Sequence, residues 1–118
     1  VPAQLTAESA YQAMRAFIGS GAPFDAVFGA TDVIAMSALR ALGASGLAVP
    51  HAVAVVGFDD IALAAHANPP LTTVRQDLQR GARTLVDLLF RRMAGEDTPS
   101  AIMPGELVVR ESSGQAAG

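Results

Sequence analysis

The chain has 118 residues, a length that supports one compact domain. Eight Lys+Arg stand against eleven Asp+Glu, a net charge of −3, which argues against DNA contact by this segment alone, since a nucleic-acid-binding module usually shows a basic face. With no cysteine it can form neither a disulfide nor a thiolate metal site, and Gly, Pro or charge interrupts each apolar stretch before the ~18 residues of a membrane span.

Hydrophobic residues make up 51% of the chain and charged residues 16%, so it must form a large core or keep a surface for a partner. It opens on Val1 without a leader pattern and reads as a cut inside a longer chain. The missing cysteines fit a cytoplasmic protein. Thr6 can cap a first helix in which Ala10, Met14, Phe17 and Ile18 recur at helical spacing, up to Gly19-Ser20-Gly21. Ala26-Val27-Phe28 reads as a buried strand, after which Thr31 or Asp32 can cap a second helix running to Leu42 and Gly43. That helix is apolar nearly all round, with only Ser37 and Arg40 polar among its middle residues, and so wants burial on two sides.

Val53 to Phe58 is the strongest strand, β-branched and continuous rather than alternating, as in a parallel strand covered on both faces. Asp59-Asp60 follow, then a short predicted helix over Ile61–Ala67 that Asp60 can cap. Asn68-Pro69-Pro70 breaks it, and Leu71 to Arg75 forms a third strand. Leu78, Ala82, Leu85, Val86, Leu89 and Met93 make the apolar stripe of a helix over 78–94. Ile102-Met103 and Leu107-Val108-Val109 give a last, split strand, and Ser112 onward reads as a loose tail. Helix–strand alternation of this kind predicts an α/β domain, a three-layer arrangement with a mostly parallel sheet flanked by helices.

Ligands of open parallel sheets sit beyond the carboxyl ends of the strands. Thr31 and Asp32 follow the first strand, Asp59 and Asp60 the second, and Arg75, Gln76 and Asp77 the third. Carboxylates, an amide and a hydroxyl suit a neutral polyol, because a carboxylate accepts from two neighbouring hydroxyls at once. Asp32 and Asp60 have an alternative use as helix caps, Thr31 as a turn residue, and Gln76 as a hinge hydrogen bond. Asp59, at the end of a buried strand, has no such alternative and is the first candidate ligand. His51 and His66 read as surface or interface residues and are not at metal spacing, so no metal and no cofactor is expected. An Asp pair after a parallel strand can hold Mg²⁺ for phosphoryl transfer. The chain has no lysine, no phosphate loop and no nucleophile elbow to accompany it, so an enzyme is not expected.

These residues resemble a known family. Gly46-Leu47-Ala48-Val49-Pro50 and Val53-Ala54-Val55-Val56-Gly57-Phe58-Asp59-Asp60 are similar to a stretch of the LacI/GalR transcriptional repressors. So are Pro69-Pro70-Leu71-Thr72-Thr73-Val74-Arg75-Gln76, Glu106-Leu107-Val108-Val109-Arg110 with Ser112, the turn Gly29-Ala30-Thr31-Asp32, and the helix opening Thr6 to Tyr11. The resemblance covers about residues 5–113. It implies a periplasmic-binding-protein-like type I fold of two lobes, with a small effector, often a sugar, between them. Residues 1–113 would be the C-terminal lobe, and 114–118 a flexible tail. DNA would be bound only through a helix-turn-helix upstream of both lobes.

The resemblance makes Asp59 the direct effector ligand and places Thr31 where the family often has Asn. Leu5 falls where an aromatic often stacks on the sugar. It also implies a homodimer through paired C-terminal lobes, here using Val33, Ile34 and Met36 with Ile61, Leu63, Ala64 and Ala67; an ordinary core helix is the alternative reading of that face. Helix 78–94 would pack on the N-terminal lobe; without that lobe it should fold onto its own sheet or exchange with a second chain. The leading reading is thus an effector-sensing, dimerising part of a repressor. A transport-type sugar-binding protein of the same fold is the alternative, and a Mg²⁺-dependent phosphoryl-transfer enzyme the third.

Overall fold

Caps and apolar runs in the sequence resolve into α1 (Ala7–Gly19), β1 (Ala26–Phe28), α2 (Asp32–Ala44), β2 (Ala54–Val56), a 3-10 turn (Ala62–His66), β3 (Thr73–Arg75), α3 (Leu78–Met93), β4 (Glu106–Val108) and a second 3-10 turn (Glu111–Ser113). The computed structural model describes residues 1–114, so the tail expected at 114–118 lies, apart from Gly114, outside the described residues. The chain divides into two compact units: Val1–Arg75 with the segment from Leu107, and Gln76–Glu106.

In the first unit β1 pairs with β2 in parallel, Ala26 opposite Ala54 and Phe28 opposite Val56. Parallel bridges between Val56 and Thr72 and between Asp59 and Arg75 carry the pairing on to β3. The ladder is continuous: Gly29 N–H donates to Val56 O at 2.8 Å, Gly57 N–H to Thr72 O at 2.9 Å and Asp59 N–H to Val74 O at 3.0 Å. Three strands therefore run in one direction and end at one edge. Val53 and Val55 are buried while Ala54 and Val56 are half-buried, so β2 has no fully exposed face, as its continuous apolar run requires.

α2 explains its own composition. Ala35, Ala38, Leu39, Ala41 and Leu42 are all buried, in one cluster with Met14, Val53, Val55, Ala64 and Leu71. α1 packs on α2, which also lies against β1 and β2, so both sides of the apolar helix are used. Arg40 sits 4.4 Å above the Tyr11 ring at the join of the two helices. Leu42 and Leu71 are fully buried, each contributing roughly 1.5–3 kcal/mol. Two glycines let α2 sit this close to the strands. A Cβ on Gly29 would lie 2.6 Å from the Ala35 backbone nitrogen, and one on Gly57 would strike the Asp32 carboxylate.

Several expectations need correction. Ile102-Met103 is not part of a strand. Ser112, expected in the tail, is fully buried. Its hydroxyl donates to Val55 O at 2.6 Å and accepts from Thr72 N–H at 2.8 Å, so a residue that looks like a polar tail satisfies two strand groups internally. The short helix after the Asp pair is a 3-10 turn with no side-chain cap, because the Asp60 carboxylate is engaged elsewhere.

In the second unit Asp77 caps α3, accepting from Arg80 N–H at 3.0 Å, and Arg91 and Arg92 occupy the last turn, where they suit the helix dipole. No residue of α3 is buried. Leu78, Leu85, Val86 and Leu89 are exposed. The helix carries surface ion pairs such as Arg91–Glu96, with N···O at 2.8 Å.

Candidate ligand-binding edge

The common carboxyl edge of the strands brings two of the candidate residues together. Asp32 N–H donates to Phe58 O at 2.9 Å, which ties the residue after Thr31 to the residue before Asp59. Thr31 and Asp59 thus rise from adjacent parallel strand ends. Thr31 is half-buried and caps α2: its Oγ1 accepts from Ile34 N–H at 3.2 Å, leaving its own O–H available. Asp59 is exposed, and its carboxylate takes no hydrogen bond among the described residues. A carboxylate beside a hydroxyl on an exposed strand edge can accept from a diol while the hydroxyl donates to it.

The two other aspartates are not free in this way. Asp32 is fully buried. One of its oxygens accepts from the Thr73 hydroxyl at 2.5 Å and the other from Ile61 N–H at 2.8 Å. It is the first residue of α2, while Thr31 supplies the cap, and it ties α2 to β3 and to the turn after Asp60. Asp60, expected to cap a helix, accepts from Arg75 Nε at 2.7 Å and from Arg110 Nη2 at 2.9 Å. Hydrogen bonding from Arg75 first, then from Arg110, holds its carboxyl below the ordinary range, against the opposing effect of desolvation.

Backbone geometry marks the same turn. Asp59 has φ of +125° and Asp60 of +55°, two consecutive non-glycine residues in a region that side chains disfavour. Such positions cost on the order of 1–3 kcal/mol each and persist where the surroundings over-determine them. Here Asp59 N–H is bonded to Val74 O, Asp60 N–H to Thr73 Oγ1 at 3.2 Å, and Ile61 N–H to Asp32.

Gln76 opens the second unit, and Leu5 lies exposed just before the Thr6 cap. On the expected dimer face Val33 is 44% and Leu63 61% exposed, while Ile34, Met36, Ile61 and Ala67 are half-buried. Ala64 is corrected: it is 0% exposed and belongs to the core, where its carbonyl accepts from Leu71 N–H. An apolar cavity of about 300 Å³ between α1, β1 and α2, lined by residues such as Met14, Phe24 and Ile34, has no charged side chain and does not suit a polyol. The sequence reading missed Arg110 and Thr73 as parts of the site's support. Their signal was a threonine pair inside the Leu71–Arg75 run and an arginine directly after the apolar Leu107–Val109 run.

The parallel edge, the left-handed Asp59-Asp60 turn and the α2 cap define a lobe of the α/β class with a parallel sheet. The sequence profile of the periplasmic binding protein-like domain matches residues 2–113. The transcriptional regulator CelR of Thermobifida fusca is 43% identical over 109 residues, covering 91% of this chain and 32% of that protein. The repressor MelR of Bacillus subtilis is 40% identical over 105 residues, covering 88% and 30%. Among solved structures, a CelR–cellobiose complex superposes with a TM-score of 0.83 at 42% identity, over 93% of this chain and 34% of that one. The lac repressor dimer bound to operator and the anti-inducer ONPF gives 0.89 at 32%, over 96% and 34%. The chain belongs to the periplasmic binding protein-like domain family, in the branch formed by the effector-binding regions of LacI/GalR-type regulators. It spans about a third of the length of the relatives it matches. No helix among its described residues is long and apolar enough to cross a membrane.

Proposed function

We propose that this chain is the effector-sensing and dimerising lobe of a cytoplasmic LacI/GalR-type repressor, and that it makes no covalent change in its ligand. The observation that carries the reading is Asp59: an exposed carboxylate with no hydrogen-bond partner among the described residues, held in a left-handed turn beside Thr31 at the shared end of parallel strands. Both residues would hydrogen-bond a sugar or related polyol, with Gln76 as a further polar contact. Asp32 would hold the edge rather than the ligand. DNA would be reached through a helix-turn-helix elsewhere in the protein, and effector binding would shift lobe closure and so bias it.

The relative solved with cellobiose makes that disaccharide the first probe. Calorimetric titration of the full-length protein with cellobiose and a panel of mono- and disaccharides should find a binder, and Asp59→Asn should abolish most of that affinity. Unchanged affinity in the variant would move the site off this edge. The isolated chain, with one wall of the pocket, should bind far more weakly than the full-length protein. For the dimer, the exposed side chains of Val33 and Leu63 favour an apolar two-fold contact that includes Ile34, Met36, Ile61 and Ala67. Leu63→Asp should convert the full-length protein to monomer in sedimentation velocity; an unchanged sedimentation coefficient would place the contact elsewhere.

A further inference from the structure

Asp59 and Asp60 are adjacent carboxylates with opposite circumstances. The Asp59 carboxylate is exposed and takes no hydrogen bond among the described residues, whereas the Asp60 side chain is only 10% exposed and uses both oxygens internally. Its two partners come from different parts of the chain: Arg75 ends β3, and Arg110 follows β4. Arg110 is itself fixed, since its Nη1 donates to Leu71 O at 2.9 Å, its N–H to Thr72 Oγ1 at 2.8 Å, and its carbonyl accepts from Thr72 Oγ1 at 2.9 Å. The Asp60 backbone is held as well, by Thr73 Oγ1, and that same hydroxyl donates to Asp32. The turn that orients Asp59 is therefore held on its side-chain side by one carboxylate clamped between two guanidiniums, beside the backbone bonds of Asp59, Asp60 and Ile61.

We propose that Asp60 is a positioning residue for the ligand edge: clamped by Arg75 and Arg110, it holds the left-handed turn that presents the Asp59 carboxylate to a hydroxylated ligand. The inference rests on the reading of Asp59 given above, and extends it from the group that meets the ligand to the group that aims it. Asp60 itself need not touch the ligand.

The test is a double-mutant cycle in the full-length protein, with cellobiose as probe, together with the Asp59 amide-to-Hα coupling measured by NMR on selectively labelled protein without sugar. That coupling reports φ directly. Asp60→Asn should change the Asp59 coupling and weaken cellobiose binding about tenfold, within the range found for residues of one network. The loss should disappear in the Asp59→Asn background, which a general loss of stability would not produce. Arg75→Gln, at a half-exposed side chain, removes one arm of the clamp if Asp60→Asn fails to fold, and should move the coupling in the same direction. An unchanged Asp59 coupling in both variants, or affinity losses that simply add, overturns the proposal. A changed coupling with no effect of Asp59→Asn on cellobiose binding would instead overturn the reading of Asp59 as the ligand group and leave the clamp standing.

Discussion

The two units of this chain share helical propensity but not burial. α2 in the first unit buries seven of its residues, including Asp32 and Ser37, whereas α3 in the second buries none. α3 is the more clearly amphipathic helix, with an apolar stripe from Leu78 to Met93 opposite its arginines. The contrast shows that an apolar stripe states a need for a surface without supplying one. α2 finds its surfaces within the unit, in α1 and the strands. Within its own unit α3 has its Asp77 cap and exposed ion pairs, which are weak in water.

Amide hydrogen exchange should give the largest contrast. Amides of Ala38–Leu42 should be protected to near the global stability of the unit, and those of Thr84–Leu88 close to unprotected. Equal protection of the two helices would break the comparison. Leu42→Ala or Leu71→Ala should cost about 2–5 kcal/mol in urea unfolding, while Leu85→Ala in α3 should stay within roughly 0.5 kcal/mol. Gly29→Ala should cost about 1–3 kcal/mol by forcing α2 off β1, read as a lower unfolding midpoint with unchanged helix content. The smallest effect is on acidification. The folded pKa of Asp60 lies below its unfolded value, so its contribution is present at neutral pH and is lost as pH falls through the folded pKa. Asp60→Asn should therefore flatten the stability profile below about pH 4, and an equally steep acid limb in the variant would assign that loss to other carboxylates.

The fold was largely legible because its strands are continuous apolar runs and its helices open on clear caps. The positions of Thr31 and Asp59 followed from strand order alone, once the strands were parallel. What the sequence concealed was the use of polar residues inside the unit. Ser112 looked like tail because nothing local indicates that its hydroxyl bridges β2 and β3. Asp32 and Asp60 looked like caps because their partners, Thr73, Arg75 and Arg110, lie 15 to 50 residues away along the chain. Ala64 looked like interface because a short apolar turn gives no periodicity by which to separate its inward residue from exposed Leu63.

The most direct test of the account is a crystal structure of the full-length protein with a bound sugar. A sugar hydroxyl should lie within hydrogen-bond distance of the Asp59 carboxylate, with Thr31 on the same ligand and Asp60 still held between its arginines. A sugar bound with no contact to Asp59 or Thr31 would contradict it.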